Sequence, residues 1–136
     1  MKIILDEGAF MPTRAHEQDA GLDLYSREDT IVPAKESAIF DTGVHIELPP
    51  NTVGFIKSKS GLNVKHGITS DGVIDEGYTG SIRVKLYNNG GYDYKVCKGD
   101  KISQLVVLPI MKPTPEIART LGITERGDNG FGSSGK

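Results

Sequence analysis

No disulfide can form within this chain, because it has a single cysteine, Cys97. One lone thiol fits a reducing compartment. Tryptophan is absent, and the aromatics are limited to five Tyr and four Phe. Hydrophobic residues make up 37% of 136 residues. That is a thin core for one domain, so an oligomer that buries further surface is expected. No apolar run approaches the roughly 20 residues of a membrane helix. The opening Met1-Lys2-Ile3-Ile4-Leu5-Asp6 is too short and too soon charged for a secretory signal. A soluble cytoplasmic protein without a membrane role is the expectation. The formal net charge is only −2. A general basic footprint for nucleic acid is therefore excluded, and any phosphate must be held by local groups.

Glycine is abundant instead. Seventeen glycines and seven prolines punctuate the chain at short intervals. Between them lie short runs of strand character. Ile82, Val84 and Leu86 alternate with Arg83, Lys85 and Tyr87. Leu22 and Leu24 alternate with Asp23 and Tyr25. Val44 to Leu48 alternates and stops at Pro49-Pro50, and Thr52 to Lys57 follows. Ile102 to Leu108 is almost continuously apolar and suits a strand buried on both faces. Asn88-Asn89-Gly90-Gly91 predicts a hairpin between the strands around it. Only Ser60 to Lys65 suggests a helical turn. Many short strands with frequent turns predict an all-β sandwich, jelly roll or barrel. Residues 1–125 form one expected domain, with Pro109 to Pro115 an extended connector. Residues 126–136 form a Gly-rich tail with little that could pack.

Five segments could carry chemistry. The tail combines Arg126, glycines that let N–H groups converge on an anion, Ser133 and Ser134. Its end resembles a phosphate-binding loop, but the chain stops at Lys136, without the Ser/Thr and helix that such a loop needs. Phe131 stands alone among glycines, where a nucleobase could stack on it. In Gly72-Val73-Ile74-Asp75-Glu76-Gly77-Tyr78, Asp75 directly follows an apolar strand end. Its carboxylate is either a turn cap or a base aimed into a cleft. Tyr78 either packs flat on a sugar or covers a sheet edge. Lys57-Ser58-Lys59-Ser60-Gly61-Leu62 is a compact anion-binding candidate or an ordinary solvated turn. Gln104 interrupts a buried-looking strand, and its amide needs a backbone or phosphate partner. Asp23, in Ala20-Gly21-Leu22-Asp23-Leu24, alternates with apolar residues and could simply face water.

Taken together, these segments closely resemble the five ordered motifs of the trimeric dUTPases. The resemblance runs from about Met11 to Lys136. It implies a jelly-roll-like β subunit, a homotrimer, and active sites built between subunits and closed by the C-terminal tail. It implies hydrolysis of dUTP to dUMP and pyrophosphate, which lowers dUTP and supplies dUMP for thymidylate synthesis. Position by position, it makes Asp75 the base that activates a water against the α-phosphorus. Tyr78 lies under the deoxyribose. Backbone groups of a hairpin between about Gly67 and Ile74, including Gly72 and Ile74, read the uracil edge. Lys59, Ser60, Gly61 and Gln104 match phosphate-binding positions. Arg126, Gly132, Ser133 and Ser134 clamp phosphates, and Phe131 stacks on uracil. Mg²⁺ rides on the triphosphate, with Asp23 reaching its water shell.

Several positions depart from the family pattern. Lys59 stands where Arg is usual, which keeps the charge but loses the planar fork. Asn63 replaces a small residue, and Ser134 a Thr. Ile68-Thr69-Ser70-Asp71-Gly72 is about one residue short, which leaves open whether Asp71 enters the site. A dCTP deaminase shares the fold, but Lys85 stands where its catalytic Glu would be, and Asp75-Glu76-Gly77 replaces its Asp-Pro-Gly. A regulatory protein acting through a partner is the alternative of another class. His16, His45 and His66 show no metal-ligand spacing. His45 is expected to be a plain surface residue of a strand.

Overall fold

The computed structural model describes residues 1–131. Eleven strands and one short helix follow in order: β1 (Lys2–Leu5), β2 (Gly21–Tyr25), β3 (Thr30–Val32), β4 (Ser37–Asp41), β5 (Val44–Glu47), β6 (Thr52–Lys57), α1 (Ser60–His66), β7 (Ile68–Thr69), β8 (Asp71–Ile74), β9 (Arg83–Asn88), β10 (Tyr94–Val96) and β11 (Lys101–Pro109). The all-β expectation is correct. Strands pair in four sheets: β1-β5, β10-β3, β2-β11-β6-β8 and β4-β9-β7. All pairs are antiparallel.

One core joins them. Leu24, Val32, Phe40, Val44, Ile46, Ile56, Ile68, Ile82, Val84, Leu86, Val96, Ile102 and Leu105 are all buried in it. The alternation read from the sequence of β9 is obeyed: Val84 and Leu86 point inward, and Arg83, Lys85 and Tyr87 outward. β11 is buried over Ile102, Ser103 and Leu105 but emerges by Leu108, so only its first half fits the double burial expected of it.

Two expectations fail. The Asn88–Gly91 turn does not close a hairpin. β9 pairs with β4 and β7, whereas β10 crosses to β3. The turn's polar groups are engaged elsewhere. Asn88 Nδ2 donates to the Val32 and Tyr92 carbonyls at 2.9 and 2.8 Å. A Cβ on Gly90 would lie 2.7 Å from the His66 carbonyl, so glycine lets this turn dock on the end of α1. Nor is Gly67–Ile74 a paired hairpin. β7 pairs with β9 and β8 with β6, so the chain passes from one sheet to another at Ser70. The joint is buried and hydrogen-bonded. Ser70 N donates to Ser58 Oγ at 2.8 Å, and the Ser70 and Ser103 hydroxyls meet at 2.8 Å.

The predicted helical turn is real. α1 ends at Gly67, whose φ of 70° is left-handed and whose N–H bonds back to Leu62 and Asn63 carbonyls. Lys65 occupies its last turn, where a cation suits the helix dipole.

Candidate active site

The four-stranded sheet gathers Asp23, Gln104, Lys57 and Asp71 at one end, while Asp75 follows β8 at the other. Asp23 on β2 pairs with Gln104 on β11, Gln104 with Lys57 on β6, and Lys57 with Asp71 on β8. Directly opposed residues of an antiparallel sheet share a face. These four side chains therefore form a polar row on one face. The adjacent row of Leu22, Leu105 and Ile56 points the other way, toward the core. Segments far apart in sequence thus meet because of strand register alone.

Asp23 does not face water. It is only 5% exposed. Lys59 bonds one carboxylate oxygen, and Lys101 Nζ lies 2.8 Å from the other. Burial pushes this carboxyl up, but the two ammonium groups outweigh it and hold the carboxyl below its usual range. The same contact raises Lys101. Lys101 is the residue that motif reading overlooked. Its signal was a cation three residues before Gln104, on the strand next to Asp23.

Gln104 finds a backbone partner: its Nε2 donates to the Ser58 carbonyl at 3.0 Å. Its amide lies across Gly21, where a Cβ would sit 2.5 Å from Gln104 Oε1. The glycine of one motif thus lets the glutamine of another lie where it does. Ser60 and Gly61 are exposed at the start of α1, and a Cβ on Gly61 would meet nothing within 4 Å. Lys59 is half-buried and held by Asp23.

β8 carries the second half of the site. Ile74 is buried at its end, although Val73 before it is exposed. Gly72 packs on Ile56 at ordinary contact distance. Asp71 pairs with Lys57 outside the core, and this lysine holds its carboxyl low. Asp75 follows in a turn closed by Tyr78 N donating to the Asp75 carbonyl at 3.0 Å. Its carboxylate is exposed. Among the described residues, no donor or cation meets it. It makes no capping hydrogen bond among the described residues. The neighbouring Glu76 is engaged by Lys112 and by Asn51 N at 3.0 Å, and both hold its carboxyl low. Tyr78 folds back with its hydroxyl donating to the Ser81 carbonyl at 2.9 Å. A Cβ on Gly80 would lie 2.5 Å from that hydroxyl, so the Tyr-x-Gly spacing has a steric cause. Tyr78 remains 42% exposed.

Arg126 is exposed and turns on its own segment, with Nε donating to the Asn129 carbonyl at 3.0 Å. Phe131 is fully exposed. The structure does not bring either residue to Asp75. Gly132, Ser133 and Ser134 lie outside the described residues. Two clefts, of about 590 and 340 Å³, lie away from Asp75. One runs beside β1 and β5, and the other between the end of α1 and residues 90–94. Asp75 itself is exposed.

A carboxylate clamped by two lysines, exposed Ser60 and Gly61, and a separate unpaired carboxylate at Asp75 are groups suited to phosphate chemistry on an all-β frame. Comparison with known proteins makes this specific. The dUTPase family model matches residues 7–135. The deoxyuridine 5'-triphosphate nucleotidohydrolase of Clostridium acetobutylicum is 46% identical over 134 residues, covering 96% of this chain and 92% of the relative. That of Gloeothece citriformis is 45% identical over 134 residues, covering 96% and 92%. The dUTPase of Staphylococcus bacteriophage 80alpha, solved with dUPNHPP, superposes with a TM-score of 0.93 at 30% identity, covering 99% of this chain and 98% of that one. A dUTPase variant from phage phi11 of S. aureus, solved with a structural Mg(II) ion, gives 0.82 at 29% identity, covering 88% and 96%.

This chain belongs to the dUTPase family. It hydrolyses dUTP as a dUTP diphosphatase.

Proposed function

We propose that Asp75 is the general base of this hydrolysis. One observation carries the reading: Asp75 is unpaired among the described residues, while Asp71 on the same strand and the adjacent Glu76 are each held by lysine. A base must offer a free lone pair within reach of a water. Asp75 takes the proton of a water whose oxygen bonds to the α-phosphorus. The bond from that phosphorus to the oxygen bridging to the β-phosphorus breaks. Pyrophosphate leaves with the bridging oxygen, and dUMP remains.

The other side chains position and neutralise. Tyr78 packs against deoxyribose and leaves no room for a 2′-hydroxyl. The unpaired edge of β8 around Gly72 and Ile74 reads the uracil edge. Lys59, Ser60, Gly61 and Gln104 face the phosphates, where charge neutralisation and alignment matter more than covalent help. The open space before Gly61 supports close approach of a ligand there. Arg126, Gly132, Ser133 and Ser134 close over the triphosphate, and Phe131 stacks on uracil. Residues 126–136 act as a lid on the domain of residues 1–125.

No group of three or more His, Cys, Asp or Glu among the described residues is arranged to hold a metal. Both Asp23 oxygens are on lysines. This donor set fits an ion carried in by the triphosphate, with Asp23 no closer than its water shell. Bound with the nucleotide, Mg²⁺ supplies neutralisation of phosphate charge. The chain works as a homotrimer. Support comes from exposed apolar residues with nothing to pack on, among them Val73, Ile117, Leu121 and Ile123. No helix of the described residues is long and apolar enough to cross a membrane, and the enzyme acts in the cytoplasm. A regulatory role through a protein partner is a second reading. It is supported by likeness to phage dUTPases that control transfer of virulence genes.

Hydrolysis in ¹⁸O-labelled water tests the attack directly. The label is expected in dUMP. Label in pyrophosphate would refute attack at the α-phosphorus.

A further inference from the structure

His45 lies outside every motif, yet it touches the loop that carries Asp75 and Tyr78. Its Nδ1 is 2.8 Å from the Thr79 carbonyl and its Nε2 is 3.2 Å from Asp6 Oδ1. Carbonyl and carboxylate oxygens are both acceptors. A neutral imidazole has one N–H and can satisfy only one of them, whereas an imidazolium satisfies both. We infer that protonated His45 is a positioning residue of this enzyme: it bridges Asp6 to Thr79 and holds the Tyr78 loop, so that dUTP binding weakens when the ring loses its proton. The inference rests on the placement of Tyr78 against the sugar proposed above.

Residues 75–82 lie between β8 and β9 without strand pairing. Glu76 ties the start of this loop to Asn51 and Lys112, and Ser81 ties its end to Asp41 and to Gly43 N. At Thr79, between these anchors, His45 is the tie among the described residues. Thr79 adjoins Tyr78, so a shift there moves the ring directly.

The charged surroundings come from several elements. Asp6 follows β1 and is shared with Arg27 at 3.6 Å. Arg27 also meets Asp41, at the end of β4, at 3.3 Å. Arg83, opening β9, acts on Asp41 from the opposite side. Lys2 and Glu47 pair with each other at 2.9 Å on the adjoining stretch of β1 and β5. Asp6 and Asp41 both favour the cation. The Thr79 carbonyl raises the His45 pKa most, a smaller desolvation effect opposes it, and Asp6 adds to the rise. The bridge is therefore complete below about pH 6.5, the ordinary value, and is lost as pH rises through the higher folded value.

The test uses the full chain. NMR titration of the His45 ring should give a midpoint above about 6.5. Asp6→Asn should move that midpoint down. KM for dUTP should rise about two- to ten-fold across it, as expected for one lost hydrogen bond, while kcat changes less. His45→Gln has no titrating ring, so that step should vanish and leave only changes due to the nucleotide's own ionisation. A midpoint at or below 6.5, or the same KM step in His45→Gln, would overturn the inference. Tyr78→Ala separates the two readings: unchanged discrimination of dUTP from UTP in that variant refutes the sugar contact and leaves the ring titration standing.

Discussion

Replacing Asp75 with Asn keeps shape and removes basicity. Because the native carboxylate is exposed and meets no donor among the described residues, the folded state loses no bond. The stability change should stay within about 0.5 kcal/mol, as for surface substitutions away from special contacts. For a chain of 136 residues, that is a melting shift of about 2 °C at most. The chemical step should behave differently. Loss of a positioned general base costs about 10²–10⁴-fold, or about 3–5 kcal/mol of transition-state stabilisation. Pyrophosphate release at saturating dUTP and Mg²⁺ measures kcat, thermal melting measures stability, and calorimetry with a non-hydrolysable dUTP analogue measures binding. The expected result is a collapsed kcat with melting and analogue affinity preserved. A kcat within ten-fold of the wild type refutes the base assignment. A large loss accompanied by equal losses of binding and melting temperature refutes the claim that Asp75 is structurally idle.

Asp23→Asn should instead lower stability by about 1–3 kcal/mol, less than for a fully buried pair because both lysines keep some solvent. The Asp23 carboxyl is held below its ordinary value, so its contribution is present above about pH 4 and fades as pH falls through the lower folded value; the variant's acid melting curve should flatten there. A chain ending before Arg126 should keep its melting temperature, since residues 126–131 are exposed, while pyrophosphate release collapses; near-normal turnover would remove the lid role. Gly21→Ala should displace the Gln104 amide and lower both stability and activity. Gly61→Ala, at an exposed helical position facing open space, should leave melting unchanged or slightly raised and impair turnover, and a loss of stability would refute the ligand-side reading of that glycine.

Much of this fold is legible locally. The alternation in β9, the stop at Pro49-Pro50 after β5 and the short helix from Ser60 each follow from period or punctuation. Pairing partners are not. Asn88 to Gly91 has hairpin chemistry, but its side chains bond to Val32 and its glycine docks against His66, contacts that depend on distant segments. The same limit applies at the site. A motif string can propose Asp23 and Lys59 separately. Only the register of β2, β11 and β6 shows that Lys59 and Lys101 converge on one buried carboxylate. His45 was unreadable for a similar reason, because Asp6 and Thr79 are 39 and 34 residues away from it.

The glycines of these motifs divide into two kinds, and the division says where substrate belongs. A Cβ at Gly21 would strike Gln104, and at Gly80 it would strike Tyr78. Those glycines are needed by the chain's own packing. Gly61 and Gly77 face open space at ordinary backbone angles, so nothing within the described chain demands glycine there. A residue that is free to be larger and is nonetheless the smallest implies an approach from outside. Gly61 and Gly77 lie on the segments that present Ser60 and Asp75, and Gly130 of the tail is open in the same way. The carboxylates divide in the same way: Asp23, Asp71 and Glu76 are bound by lysine, and Asp75 is not. Open space at Gly61 and Gly77 and the unpaired carboxylate of Asp75 are the features that the proposed base role draws on, and they favour it more than any single motif does.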